Sequence, residues 1–199
     1  LELPGTYTVT EVQQSGWQQT TTSPAPIEIQ LGQTISGVNF GNFKPPKISG
    51  YKFEDANGNS VFDNGESGLE GWTINAVKGS QTKTTTTAPD GSYSFTFSTT
   101  ETGTWSLSEV QQSGWSQSFP VNRTHSVLAV SAVDTMNVSF GNYRPASISG
   151  QKFEDMNGDS AMTDDLTLSG WIIKLFKDEE LIGSAITGTS GEFSFEGLL

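Results

Sequence analysis

The chain has 199 residues, ten Lys+Arg against twenty-two Asp+Glu and a net charge of −12, which argues against nucleic acid as a partner and favours divalent cations. It has no cysteine, so disulfides and thiolate metal sites are excluded while the compartment is left open, and no apolar run approaches the length of a membrane span. Twenty-two glycines, with abundant Thr and Ser, argue for β structure with many turns. There is no signal-peptide pattern and the first residue is Leu1, so the sequence reads as a processed product or an excerpt of something longer.

Taken in chain order, the sequence repeats itself at an offset of about a hundred residues. Glu11–Trp17 (EVQQSGW) returns as Glu109–Trp115, Asn39–Phe43 returns as Ser139–Tyr143, and Ile48–Asp55 returns as Ile148–Asp155. Residues 47–146 make one complete unit. Residues 1–46 are the back half of a unit and residues 147–199 the front half of another. A half domain cannot bury its own apolar face, so both ends need a partner: either the chain is a window on a longer tandem array, or separate copies join head to tail and complete each other's split domain, with residues 1–46 folding back onto 147–199 of the same chain as the closed alternative. Gly197-Leu198-Leu199 followed by Leu1-Glu2-Leu3-Pro4-Gly5 would then read as one turn.

Within the complete unit, alternating segments predict strands near 47–54, 72–78, 81–87, 92–98, 103–110, 115–119, 125–130 and 134–143. Turn chemistry such as Pro89-Asp90-Gly91 and Ser113-Gly114 separates them, and no stretch sustains helical periodicity. Short strands at this density fit an all-β chain of tandem Ig-like two-sheet sandwiches. The expected core is Trp72, Ile74, Tyr93, Phe95, Phe97, Trp105, Leu107, Val138 and Phe140.

Strand parity then places three polar residues on apolar faces. Ile48, Gly50 and Lys52 share a face, as do Ile148, Gly150 and Lys152. Trp105, Leu107 and Glu109 share another, matched by Tyr7, Val9 and Glu11. Val138, Phe140 and Asn142 share a third, matched by Val38, Phe40 and Asn42. A desolvated Lys loses its proton readily and a buried Glu keeps its own. Neutral Lys52 could therefore attack the side-chain amide carbon of Asn142 while protonated Glu109 polarises the carbonyl and shuttles protons as ammonia leaves. The product is an isopeptide bond between the first and last strands. Lys152, Asn42 and Glu11 would repeat the reaction between neighbouring copies. Against this stand a bulge that breaks the parity, a Lys that snorkels to water, or an ordinary buried Lys52–Glu109 ion pair.

The first strand runs into an acidic loop, Asp55–Glu66. Counting Asp55 as position 1, side-chain oxygens fall on Asp55, Asn57, Asn59, Asp63 and Glu66, with the Val61 carbonyl at position 7, which is the calcium-loop spacing. The usual Gly at position 6 is replaced by Ser60, and strands flank the loop in place of helices. In the second copy Asp155, Asn157 and Asp159 keep their places, with the Ala161 carbonyl next. The segment is one residue short, which puts Asp165 opposite Glu66 with Asp164 beside it as a further candidate ligand, and because a shorter Asp chelates less easily, weaker Ca2+ affinity is expected. Plain turn chemistry is the alternative for both loops.

Lys-Phe-Glu-Asp on the first strand, Thr-Tyr-Thr-Val-Thr-Glu-Val at 6–12 and Val-Ser-Phe-Gly-Asn-Tyr-Arg-Pro at 138–145 resemble the collagen-adhesin B-type repeat. They are similar in particular to its calcium-binding relatives, the SdrD B-like repeats of bacterial serine-aspartate-repeat surface proteins, and to repeats of large archaeal surface proteins. The resemblance covers the whole chain in the permuted order. It implies a transthyretin-like sandwich, a stalk or fibre role, calcium at the acidic loop and, in many members, a Lys–Asn isopeptide bond with a catalytic Glu. Lys52, Glu109 and Asn142 fall on those three positions. Some calcium-binding relatives have Val where Lys52 stands and form no such bond.

Asn122-Arg123-Thr124 and Asn137-Val138-Ser139 are glycosylation sequons, and Asn122 falls in an expected loop. His125 has no nucleophile or metal partner in the pattern and reads as a surface residue. Trp17 and Trp115 close the Gln-Gln-Ser-Gly-Trp motifs and could stack on surface glycans, with packing at a turn as the simpler reading. The sequence therefore predicts a non-enzymatic structural subunit of an extracellular fibre, stalk or surface layer, with no nucleic-acid partner. Its alternative is a cell-surface adhesin or carbohydrate-binding module. No nucleophile–base set supports a hydrolase.

Overall fold

The computed structural model describes residues 4–198; Leu1, Glu2, Leu3 and Leu199, and with them the expected head-to-tail turn, lie outside the described residues. The strands in order are β1 (Gly5–Tyr7), β2 (Gln18–Gln19), β3 (Ile27–Ile29), β4 (Asn42–Phe43), β5 (Lys47–Glu54), β6 (Thr73–Lys78), β7 (Gln81–Thr86), β8 (Ser92–Thr96), β9 (Gly103–Glu109), β10 (Ser116–Phe119), β11 (Thr124–Ala129), β12 (Phe140–Tyr143), β13 (Ala146–Gln151), β14 (Phe153–Glu154), β15 (Leu166–Thr167), β16 (Ile172–Lys177), β17 (Glu180–Ile186) and β18 (Glu192–Leu198). A single 3-10 turn, Thr99–Glu101, is the helical segment among the described residues. The chain divides into two compact units, residues up to Gln112 with Gln117–Asn142, and Ser113–Ser116 with Tyr143 onward.

The first unit contains a sandwich of two four-stranded sheets, β10-β12-β5-β8 and β11-β9-β6-β7. Alternation drives it. Ile48, Gly50 and Lys52 of β5 face inward, as do Ile74 and Ala76 of β6 and Trp105 and Leu107 of β9. All nine residues of the expected core are buried, joined by Ile48, Ala76, Val127 and Ala129. The pairs β5–β8, β6–β7, β6–β9 and β9–β11 are antiparallel, but β12 lies parallel to β5, with Phe140 opposite Lys52 and Asn142 opposite Glu54. The first and last strands of the sandwich are thus direct neighbours.

One predicted strand is shorter than expected. Residues 134–139 do not continue β12. Asn137 sits at φ +62° and Ala132 at φ +65°, conformations that leave the extended region and interrupt the pleat. The segment follows β5 through irregular contacts instead: a bridge between Ile48 and Thr135, bonds between the backbones of Thr135 and both Lys47 and Ser49, the bond from the Val138 N–H to the Ser49 carbonyl, and side-chain oxygens of Asp134 and Ser139 that accept the Lys47 and Tyr51 N–H groups. Preceding the sandwich, residues 4–43 form two small antiparallel pairs, β1 with β3 and β2 with β4.

The second unit consists of the pairs β13–β18, β14–β15 and β16–β17. Several of its apolar residues are more exposed than their counterparts in the sandwich. Ile148 is 47% exposed against 0% for Ile48, and Trp171 is 52% exposed against 2% for Trp72. Among the described residues, no helix is long and apolar enough to cross a membrane.

Candidate functional site

The three strands that frame the sandwich core bring Lys52, Glu109 and Asn142 together. Lys52 and Asn142 project from the adjacent parallel strands β5 and β12, two positions apart on one face. Glu109 closes the site from the end of β9 in the facing sheet. Lys52 and Asn142 are fully buried, and the Glu109 side chain is 1% exposed. The Lys52 Nζ lies 3.4 Å from Glu109 Oε2, donates to the Phe140 carbonyl at 3.3 Å and sits 4.3 Å from the centre of the Trp72 ring. The Asn142 amide nitrogen donates to Glu109 Oε1 at 2.7 Å, and Asn142 Oδ1 is buried without a hydrogen-bond partner.

Burial controls the protonation of the pair. Desolvation lowers the Lys52 amine to about 8, against the partial restoring pull of Glu109. Desolvation likewise raises the Glu109 carboxyl, opposed by Lys52, Asn142 and Arg123. Both shifts favour the neutral amine and the protonated acid. The Glu109 contact falls on the amide nitrogen, the group that would leave, whereas sequence reasoning placed it on the carbonyl oxygen. From here the carboxyl can take a proton from the attacking amine and hand one to departing ammonia. Trp72 was legible as core but not as the ring that covers the amine.

The half-copies hold the same residues in part. Asn42 donates to Glu11 Oε1 at 2.8 Å, repeating the Asn142–Glu109 contact, while Glu11 Oε2 is buried with no partner. Lys152 donates to the carbonyl of Phe153 at 3.0 Å and lies 4.9 Å from the centre of the Trp171 ring, as Lys52 lies over Trp72.

Both acidic loops fold as tight oxygen-lined turns. In the first, Asp55 accepts the N–H groups of Asn59 and Ser60, Asn57 and Asn59 donate to Asp63 Oδ2, and Glu66 accepts from the Ala56 and Asp63 N–H groups. Ser60 adopts φ +66°, so the left-handed position that the missing Gly would fill is kept by a serine. Hydrogen bonds from the Asn57 and Asn59 side-chain amides depress the Asp63 carboxyl, Asn57 being the larger cause. The Asp55 N–H also donates to the Asn142 carbonyl at 2.8 Å, joining this loop to the buried trio. In the second loop Asp155, Asp159 and Asp165 place carboxylate oxygens within 4.8 Å of one another, close enough for one ion, and Asp165 Oδ2 is buried without a partner. The convergence of carboxylates is thus clearest in the loop that spacing marked as the weaker. A donor set of carboxylates and amide carbonyls, with an orphaned buried oxygen, suits a hard cation such as Ca2+. Asp164 does not join that cluster; it sits at φ +65° and supplies the turn.

Asn122 and Asn137 are both exposed. His125 departs from expectation. It is half-buried, edge-on to Phe119 and Phe140, with Nε2 2.7 Å from the Ser139 carbonyl. Its inward neighbour Phe140 and the short β12 leave it a structural place in the sheet edge.

Comparison with known proteins adds a lineage. Residues 46–142 match the SdrD B-like domain. Serine-aspartate repeat-containing protein F of Staphylococcus epidermidis is 29% identical over 177 residues, covering 81% of this chain and 10% of that protein. The same protein from a second strain is 28% identical over 177 residues and is covered over 11% of its length. The chain thus spans about a tenth of these relatives. Among solved structures, the Bacillus anthracis TIE protein is similar at 13% identity and a TM-score of 0.46, over 86% of this chain and 30% of that one. The Streptococcal ancillary pilin is similar at 15% identity and a TM-score of 0.41, over 98% of this chain and 63% of that one.

Proposed function

Residues 46–142 belong to the SdrD B-like domain family, and on that premise we propose that the chain is a structural module of an extracellular, cell-surface fibre or stalk, stiffened by calcium and locked by an isopeptide bond. The observation that carries this reading is the sealed Lys52–Glu109–Asn142 cluster. A lysine, an acid and a primary amide enclosed together, with the acid touching both nitrogens, is a poor choice for stability alone. As reactants they are well arranged. Neutral Lys52 Nζ bonds to Asn142 Cγ, the Cγ–Nδ2 bond breaks, and Glu109 relays the amine proton to Nδ2, which leaves as ammonia. The bond ties neighbouring parallel strands, so tension applied through the two ends of the sandwich bypasses the chain between them.

Calcium serves the same end in this reading. Asp55, Asn57, Asn59, Val61, Asp63 and Glu66 would hold one ion, and Asp155, Asn157, Asp159, Ala161 and Asp165 another. Each loop would exchange its internal hydrogen bonds for a metal that stiffens it. The protein itself acts on no substrate; its one reaction is on its own side chains.

Intact mass under denaturing conditions tests the proposal. The wild-type chain is expected to lack one ammonia for the central bond, and Glu109→Ala to restore that mass. A folded wild-type chain that keeps the ammonia of Asn142 refutes it.

A further inference from the structure

We infer that Phe62 and Ser60, in the first acidic loop and outside the reacting trio, are positioning residues for the Lys52–Asn142 reaction. They pin β12 from the other face of its sheet and so keep the Asn142 amide in reach of Lys52. Their role rests on the proposed chemistry of the trio.

The need for a clamp follows from the shortness of β12. It spans 4 residues, Phe140–Tyr143, and its registered pairs with β5 run only from Phe140 to Asn142. The next rung is the bond from the Asp55 N–H to the Asn142 carbonyl at 2.8 Å, donated by the residue that opens the acidic loop. The end of β12 that bears the reacting amide is therefore tied to the loop.

The loop adds two further grips on that end. Side chains alternate across a sheet, so while Lys52 and Asn142 point into the core, Phe53 and Gly141 belong to the other face, directly opposite each other. Gly141 has no side chain, and the Phe53 ring takes the space, since a Cβ on Gly141 would fall 2.5 Å from Phe53 Cζ. The ring thus lies on the backbone one residue before Asn142. Phe62 stacks on that ring, with centres 4.8 Å apart and planes 19° apart, and Phe53 beneath it is 1% exposed. On the far side of β12, the Ser60 hydroxyl donates to the Ser118 carbonyl of β10 at 3.1 Å. The Ser60 backbone is itself anchored, because its N–H donates to the buried Asp55 carboxylate at 2.9 Å. The sheet order is β10-β12-β5, so a loop that leaves β5, covers Phe53 and grips β10 spans β12 from side to side.

The acidic loop alone requires neither side chain. Phe62 offers no side-chain oxygen to a cation and is 40% exposed. Ser60 uses its hydroxyl on a neighbouring strand, and its φ of +66° would suit glycine better. Both become intelligible as contacts to the strands that carry the reaction. A misplacement of about 1 Å costs a positioned reaction roughly a hundredfold in rate, so partial loosening of β12 should cost less than that.

The full-length chain tests this in one calcium-containing buffer. It is refolded at an acid pH that keeps the Lys52 amine as ammonium, and its fold is confirmed by near-ultraviolet circular dichroism. It is then moved to a series of pH values while intact mass times the loss of ammonia, which separates reaction from folding. Phe62→Ala should slow the reaction about tenfold at every pH, and Phe62→Tyr, which keeps the ring, should restore the wild-type rate. Ser60→Gly removes the hydroxyl and relaxes the left-handed backbone, so it should fold as well as wild type yet react about threefold more slowly. The pH profile separates aiming from sealing. Neither change alters the charged groups of the site, Lys52, Glu109 and Arg123, so a positioning role lowers the profile without moving its limbs. A site that merely admitted water would move the limbs apart, as Lys52 and Glu109 return toward their ordinary values. Variants that react as fast as wild type, or whose limbs move apart, overturn the inference and leave the proposed function standing. If Phe62→Ala does not fold, Ser60→Gly decides by the same two criteria. A wild-type chain that loses no ammonia at any pH refutes the proposed function itself, and the positioning role with it.

Discussion

With its amine enclosed between the Trp72 ring and the Glu109 carboxyl, Lys52 gives up hydration that Glu109 offsets only in part, which is why its pKa falls to about 8 while burial raises that of Glu109. The reactive arrangement holds a single proton between the two groups, as neutral amine and protonated acid. Adding a second proton makes the amine an unreactive ammonium. Removing the last one leaves no acid to serve the leaving nitrogen. Bond formation followed by ammonia loss during refolding should therefore trace a bell against pH, with its alkaline limb above about 8 and its acid limb below the raised carboxyl value. A rate that climbs steadily into alkali would show that Glu109 does not act as an acid. All three residues were legible in the sequence, because a period of two makes an inward-facing polar residue conspicuous on an otherwise apolar strand. The direction of the Glu109 contact was not, since parity assigns a residue to a face and says nothing of which amide atom it meets.

Strand geometry decides whether those residues meet at all. Gly50 lies two positions before Lys52 on β5, and a Cβ there would fall 2.0 Å from the Val138 carbonyl oxygen. That carbonyl also accepts the Tyr93 hydroxyl, so it has little freedom to move. Gly50→Ala should cost about 3 kcal/mol, the upper end of overpacking effects. It should also slow ammonia loss, because pushing residue 138 away shifts Asn142 along β12. Thermal melts and intact mass read the two effects separately. The loops offer a second test at this scale. Calcium bound only by the folded chain at a hundred times its Kd should stabilise by about 2.7 kcal/mol, seen as a higher Tm that chelator reverses. Asp165→Asn should remove the contribution of the second loop, and melting that ignores calcium would count against both sites. Sequence pattern located these loops and the strands of the central sandwich. It overextended the strand at 134–143, because nothing in the alternation of Val138, Phe140 and Asn142 announces that Asn137 turns to positive φ.

Across the molecule, a module that carries load is as stiff as the chain leading into it. Residues 43–47 join β4 to β5, and they are not a loose tether. Phe43 is 7% exposed and Pro46 is fully buried. The Lys44 N–H donates to Ser131 Oγ at 3.0 Å and its carbonyl accepts from Ala132 at 3.0 Å. The Lys47 N–H donates to Asp134 Oδ1 and its carbonyl accepts from Thr135, both at 2.8 Å. Between these clamps, Pro45 and Pro46 have no N–H to satisfy and hold φ near its fixed value. If the Lys52–Asn142 bond removes residues 53–141 from the path of tension, this connector is what remains to stretch, and Ser131 and Asp134 are the side chains that hold it. Replacing both with alanine deletes two hydrogen bonds worth roughly 1 kcal/mol each. The amides of Lys44 and Lys47 should then exchange with solvent roughly thirtyfold faster, since local opening becomes easier by that sum. The core is untouched, so Tm should move little and the central bond should still form. Unchanged exchange at both amides would mean that burial of Phe43 and Pro46 alone holds the connector in place.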